Sequence, residues 1–279
     1  MTEEQITRRR SLFAATGIAV GTLAYGAMPA RAEDEVGNYR CVPPIMPPLN
    51  KRALNKTAQD DYPGAKWHPD GAVRHFPGLT FVSPLDDGAF KDAMIGIRQR
   101  ILDRSLGSLY ALLPPDTYHV TIVANGPVDS DRSDDKWPSI VPTNISISEM
   151  AREFAARITD ASLPKLGEIR MAPFEIGKQT KTSGIGVGFR VDDRDRARLI
   201  EFELAIVELL GLPTPKDNDY RWHSTIGYKL YEPTDRELPE LEEWRQEFLA
   251  LLPEELVLRR HEFNIFDNMT GFSSLYDFK

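Results

Sequence analysis

The chain has 279 residues, 41% hydrophobic, 27% charged and 9% aromatic, which excludes a disordered or collagen-like protein. Cys41 is the only cysteine, so no disulfide framework exists. The net charge of −8 excludes a broad basic face for long nucleic acid or an anionic membrane, yet leaves room for a small phosphate held by a few local donors.

Taken in chain order, the first element is a targeting segment. Arg8-Arg9-Arg10 stand directly ahead of a short apolar run from Leu12 to Ala27, which Gly17, Gly21 and Gly26 interrupt. The run ends at Ala30-Arg31-Ala32, a small-x-small cleavage site followed by acidic residues. Residues 1–32 are therefore expected to be an export signal resembling the twin-arginine type, and the protein to be periplasmic or secreted. The run is too short and too glycine-rich for a membrane span. Cys41 lacks a lipobox-like context and reads as a free thiol.

Residues 33–66 are rich in proline and polar groups (Pro43-Pro44, Pro47-Pro48), and an extended arm lying on the domain is expected there. Residues 67–279 form the domain proper. Gly78 to Val82 reads as a short apolar strand. A helix starts near Gly88, with Phe90, Met94, Ile97 and Ile101 at helical spacing. It is expected to reach as far as Leu113 unless Gly107 ends it first. Tyr118 to Ala124 is a β-branched strand. Residues 125–146 read as a long polar loop, expected to be a mobile lid or specificity insertion. Further elements are a helix over 148–160, strands over 168–177 and 184–191, a helix over 192–210 and a strand over 221–228. A helix near 234–251 and strands over 256–266 and 272–278 close the chain. The order is α+β and suggests two pseudo-symmetric lobes around a central cleft, each an antiparallel-type sheet with helices outside.

Two of the five histidines occur in matching contexts, Tyr118-His119-Val120-Thr121-Ile122 and Trp222-His223-Ser224-Thr225-Ile226. Side chains alternate along a strand, so each strand presents one imidazole and one hydroxyl to the same surface. A single His-x-Thr carries no information; the repeated aromatic-His-x-Thr-Ile frame does. The bland reading is a pair of half-buried histidines with hydroxyl partners.

The pair resembles the signature of the two-histidine (2H) phosphoesterase superfamily, which includes cyclic phosphodiesterases and 2′-5′ RNA ligase-like proteins. That resemblance implies two α+β lobes with both motifs facing one cleft. The chain departs from the small bacterial members in its export signal, its proline-rich arm and the 125–146 loop. The groups themselves suit phosphodiester chemistry. One imidazole accepts a proton from water or a ribose hydroxyl and the other protonates the departing oxygen. Thr121 and Thr225 would hold the non-bridging oxygens. No metal or other cofactor is needed. The expected activity is hydrolysis of a 2′,3′-cyclic phosphate or a related small nucleotide or oligonucleotide end. A non-catalytic nucleotide- or phosphate-binding protein is the alternative. Trp137 and Arg132 of the long loop, with Tyr228, are expected to bind substrate by stacking and phosphate pairing. The protein is expected to work as a monomer without long nucleic acid or membrane partners.

Three other signals read as structural. His68, Asp70 and His75 surround a Pro-Asp-Gly turn rather than a metal. Gly184-Ile185-Gly186-Val187-Gly188 lies in a strand-like run, where close backbone approach explains it better than a dinucleotide loop. No Gly-x-Ser-x-Gly elbow is present.

Overall fold

The computed structural model describes residues 52–177, 184–214 and 221–278. The export signal, Cys41 and most of the proline-rich arm lie outside the described residues. Among the described residues, nine strands form two antiparallel sheets. Sheet one has the order β3-β1-β8-β9, and sheet two the order β2-β6-β5-β4-β7. Sheet one contains β1 (Gly78–Pro84), β3 (His119–Val123), β8 (His261–Asn268) and β9 (Gly271–Phe278). Sheet two contains β2 (Tyr110–Leu112), β4 (Ile169–Ile176), β5 (Gly184–Val191), β6 (His223–Lys229) and β7 (Leu256–Leu258). The α+β architecture with two antiparallel sheets matches the sequence reading.

Among the described residues, four α-helices cover the sheets. Helix α1 (Ala89–Leu102) follows β1 but sends Phe90 onto Phe189 of β5, ring centroids 5.7 Å apart. Helices α2 (Ile147–Asp160) and α3 (Asp193–Leu210) pack against sheet one, and α4 (Leu238–Ala250) against β4. Local chemistry sets their ends. Ser146 caps α2 in a reciprocal capping box with Glu149. Asp192 caps α3, and Gly211, at φ 60°, closes it in the left-handed region that a side chain resists.

Three expectations are corrected. Helix α1 ends at Leu102, and the predicted continuation toward Leu113 is a short 3-10 turn (Ser105–Leu109) followed by β2. Gly107 permits that turn, because a Cβ there would sit 2.0 Å from the Ile101 carbonyl oxygen. The predicted strand 256–266 is two strands. Arg259 and Arg260 separate β7, which joins sheet two, from β8, which joins sheet one.

The third correction concerns residues 125–146, which are packed and hydrogen-bonded rather than a free lid. Leu79 N–H donates to the Pro127 carbonyl at 2.9 Å, and Ser139 N–H to the Gly211 carbonyl at 2.8 Å. Trp137 is 4% exposed. The segment ahead of β1 is also held. Asn55 N–H donates to the Leu230 carbonyl, Glu232 N–H to the Ala53 carbonyl (both 2.9 Å), and Ala58 and Trp67 join the core.

Candidate active site

Alternation along β3 and β6 does to the two motifs what the pleat requires. On β3, Tyr118, Val120 and Ile122 are buried, while His119 and Thr121 keep accessible surface. On β6, Trp222, Ser224 and Ile226 are buried, His223 is exposed and Thr225 half-buried. The two strands belong to different sheets and lie against each other. His119 and Thr121 therefore come from one sheet, and His223 and Thr225 from the other.

Both imidazoles are fixed in the same way. His119 Nδ1 lies 2.7 Å from the Thr117 carbonyl oxygen, and His223 Nδ1 lies 2.9 Å from the Arg221 carbonyl oxygen. A carbonyl can only accept, so each Nδ1 carries the proton and donates it. An imidazole held through Nδ1 exchanges its second proton at Nε2, the atom through which either ring would act.

The surroundings of the two rings differ. Burial pushes the His119 pKa down to about 4, against the opposing pull of the Thr117 carbonyl. The nearby His223 and Lys66 push it the same way as burial. The ring is deep because sheet one coils. His119 and Phe272 occupy diagonal corners of the sheet, yet their rings meet edge-on at 4.9 Å.

A cavity of about 320 Å³ opens beside His223 and Thr225. Its floor is β5, where Gly184, Gly186 and Gly188 present no side chains. A Cβ on Gly184 would sit 2.3 Å from the Gly227 carbonyl oxygen, and one on Gly186 2.4 Å from that of Ser224. These glycines serve close strand approach, as the sequence indicated. Tyr228 lines the same cavity. Strict alternation from His223 and Thr225 would put Gly227 there instead. A bulge at Ile226, which has no partner between the pairs Thr225↔Gly186 and Gly227↔Ile185, shifts the phase by one residue.

Trp137 and Arg132 are placed differently from the sequence expectation, and neither lines this cavity. Arg132 stacks on Trp137 with its guanidinium 4.4 Å from the ring centroid. It also donates to the Ile145 carbonyl at 2.7 Å and pairs with Asp129. The Trp137 indole N–H donates to the Pro142 carbonyl at 3.2 Å. A buried ring whose face already holds a guanidinium has no face left for a base, so the pair organises the loop.

Sequence reasoning missed Lys66, which lies ahead of β1 outside any motif yet lines the cavity. It also missed the pair Glu175–Arg221, 3.9 Å apart at the cavity edge. No spacing rule links these positions to the histidines; only the tertiary fold brings them together. The remaining histidines have other duties. His261 is 2% exposed between the Ser83 hydroxyl (2.6 Å) and the Gly167 carbonyl (2.7 Å). His75 faces Asp267 at 2.8 Å on the surface, and the Asp70 carboxylate accepts from Ala72 N–H inside its turn. Among the described residues no group of three or more acidic, histidine or cysteine side chains is arranged to hold a metal ion.

Residues 66–182 match the family described as 2H-phosphodiest, a domain of unknown function (DUF1868). The matched stretch covers less than half of the chain. It includes His119 and Thr121 and ends before β6. The fold is similar to that of the conserved protein of unknown function ATU0111 from Agrobacterium tumefaciens, at TM-score 0.68 and 22% identity over 77% of this chain and 91% of that one. Looser likenesses are to Escherichia coli LigT complexed with 3′-AMP and to Usb1 from Kluyveromyces marxianus. For LigT the TM-score is 0.44 and the identity 11%, over 73% of this chain and 97% of LigT. For Usb1 they are 0.38 and 13%, over 72% and 97%. No protein with a curated description matches the sequence.

Proposed function

We propose that the chain is a phosphodiesterase hydrolysing a 2′,3′-cyclic phosphate or a related small nucleotide or oligonucleotide end by two-histidine acid–base catalysis. The observation that carries this reading is the matched presentation of two His-x-Thr pairs by strands of two different sheets, each imidazole held through Nδ1. Two rings so fixed can act in opposite directions on one phosphorus.

His119 is the base, because its burial keeps it neutral at pH 7. Its Nε2 takes a proton from water as the water oxygen bonds to phosphorus. The opposite P–O ester bond breaks, and His223 gives its Nε2 proton to the departing ribose oxygen. The product is a phosphate monoester with a free hydroxyl, and both proton and oxygen balances close. Thr121 and Thr225 donate to the non-bridging oxygens, whose charge rises in the transition state. These side chains supply both proton transfers without a metal.

The test is a screen of nucleoside 2′,3′-cyclic phosphates and short oligonucleotides in the presence of chelator. Turnover is expected in the wild type, and His119→Ala and His223→Ala are each expected to lower it by about 10²–10⁴-fold. The double variant is expected to lose far less than the product of the two, because the rings act as one unit. Full activity in either single variant on a confirmed substrate overturns the assignment. Binding without turnover in the wild type would make the chain a nucleotide-binding protein that uses the same cleft.

A further inference from the structure

Lys66 belongs to two cavities at once. The first is the cavity of His223, Thr225 and Tyr228. The second, about 460 Å³, is walled by Tyr62, Phe76, Asn125, Ser130 and Lys136. Both volumes fall within the range of ordinary ligand pockets. The segment ahead of β1 supplies Tyr62 and Lys66, and the turn after β3 supplies Asn125 and Ser130.

The ammonium of Lys66 is held by rings rather than by a carboxylate. Its Nζ is 4.7 Å from the Tyr228 ring centroid and 5.4 Å from that of Phe76, and it lies 3.3 Å from the Tyr228 hydroxyl. Among the described residues no acidic side chain pairs with it. The acids of the two cavities are engaged elsewhere. Glu175 faces Arg221 at 3.9 Å, and the Asp131 carboxylate accepts from the Ser133 hydroxyl at 2.6 Å. A half-buried cation without an anionic partner, in a chain of net charge −8, is a seat for an anionic ligand. Lys66 lines the first cavity together with His223 and Thr225, which places this seat beside the reacting groups.

A phosphodiester at that seat projects its two ester oxygens in different directions. Tyr62, 40% exposed, gives the second cavity an aromatic ring on which a planar group can stack.

We propose that Lys66 divides a bipartite binding site, its ammonium holding the phosphate of a linear diester whose two ring-bearing substituents occupy the two cavities. The ligand class is then a dinucleoside monophosphate or an oligonucleotide end rather than a cyclic mononucleotide. This rests on the catalytic reading for the location of the phosphate but not for turnover, so the two can fail separately.

The test is calorimetric titration of the full chain at pH 7 in chelator with adenylyl-(3′–5′)-adenosine and with adenosine 2′,3′-cyclic phosphate. It is run in the His119→Ala background to suppress turnover. The dinucleoside is expected to bind at least about tenfold more tightly than the cyclic ester. Lys66→Met is expected to weaken both by about 10–100-fold, the loss of one charge-assisted contact. Lys66→Arg should recover most of the affinity, and melting temperature is followed throughout. Should Lys66→Met fail to fold, Lys66→Gln gives the same comparison with a polar side chain. Ser130→Trp, at an exposed position on the second cavity, is expected to reduce the preference for the dinucleoside about tenfold. Equal affinity for the two ligands, no binding of either, or unchanged affinity in Lys66→Met overturns the proposal. Tight, Lys66-dependent binding of the dinucleoside by a wild type that turns over no diester would leave the bipartite site standing and remove the catalytic reading.

Discussion

His119 and His223 receive the same backbone hydrogen bond, and in the proposed mechanism the burial of His119 is what makes it the base. Because His119 takes up a proton only near pH 4 on acidification, it is available as a base across the neutral range. The acidic limb of the kcat/KM profile, which reports the free protein, is expected close to pH 4 rather than near the ~6.5 of an ordinary histidine. An initial-rate series from pH 3.5 to 9 measures it, and an acidic limb near 6.5 would take the base role from His119. Thr121→Val and Thr225→Val are expected to cost about 1.5–3 kcal/mol of transition-state stabilisation each, read from kcat/KM at pH 7. The same histidine chemistry touches stability. Burial depresses the pKa of both His119 and His261 in the folded chain. Between the unfolded value of ~6.5 and the folded value, the unfolded chain binds the additional protons. The stability present above pH ~6.5 is therefore lost progressively as pH falls through the folded values. Melting temperature is expected to drop between pH 7 and pH 4.5, and less steeply in His119→Gln. A flat profile would contradict this linkage.

The strands β5 and β6 show at the level of elements how much of the site the sequence could reveal. Both His-x-Thr frames were legible because the pleat has period two and apolar neighbours alternate with them. The glycine triplet in β5 was legible as close approach, because the glycines lie within a strand-like run rather than in a turn between strand and helix. The bulge at Ile226 was not, since a bulge is set by the register of two strands and leaves no composition signal. Nor was β2, a three-residue strand whose existence depends on a partner more than a hundred residues away. Trp137 and Arg132 look from sequence like a base-stacking pair, and only tertiary packing turns them on each other. Lys66 reaches the site through chain closure rather than spacing. The tight β5–β6 approach carries its own prediction. Gly186→Val places a side chain where even a Cβ would be 2.4 Å from the Ser224 carbonyl. It is expected to destabilise the protein by about 1–3 kcal/mol in denaturant titration and to lower kcat by displacing His223 and Thr225. Wild-type stability and activity would mean that β6 is not positioned by this contact.

For the whole molecule, the compartment follows from residues 1–32, which we propose as a cleaved export signal. Arg8-Arg9-Arg10, the glycine-interrupted apolar run and Ala30-Arg31-Ala32 support it. Intact mass of the protein from its native host is expected to show a chain beginning at Glu33; a full-length cytoplasmic product would remove this reading. The two sheets share their helices. Helix α1 leaves sheet one to cover sheet two, and α3 leaves sheet two to cover sheet one, so neither sheet is a separable half.

The central place of β1 has a consequence for how the chain is made. β1 lies between β3 and β8, and β8 is synthesised long after β3. During synthesis β1 can pair along one edge with β3, while its other edge waits for nearly the whole domain. An apolar strand with an open edge is a template for pairing with another chain. Pairings this distant in sequence also form slowly. The nascent protein thus passes through a period in which a largely buried central strand lies open along one edge, and a chaperone that shields β1 until β8 arrives is expected to raise its yield.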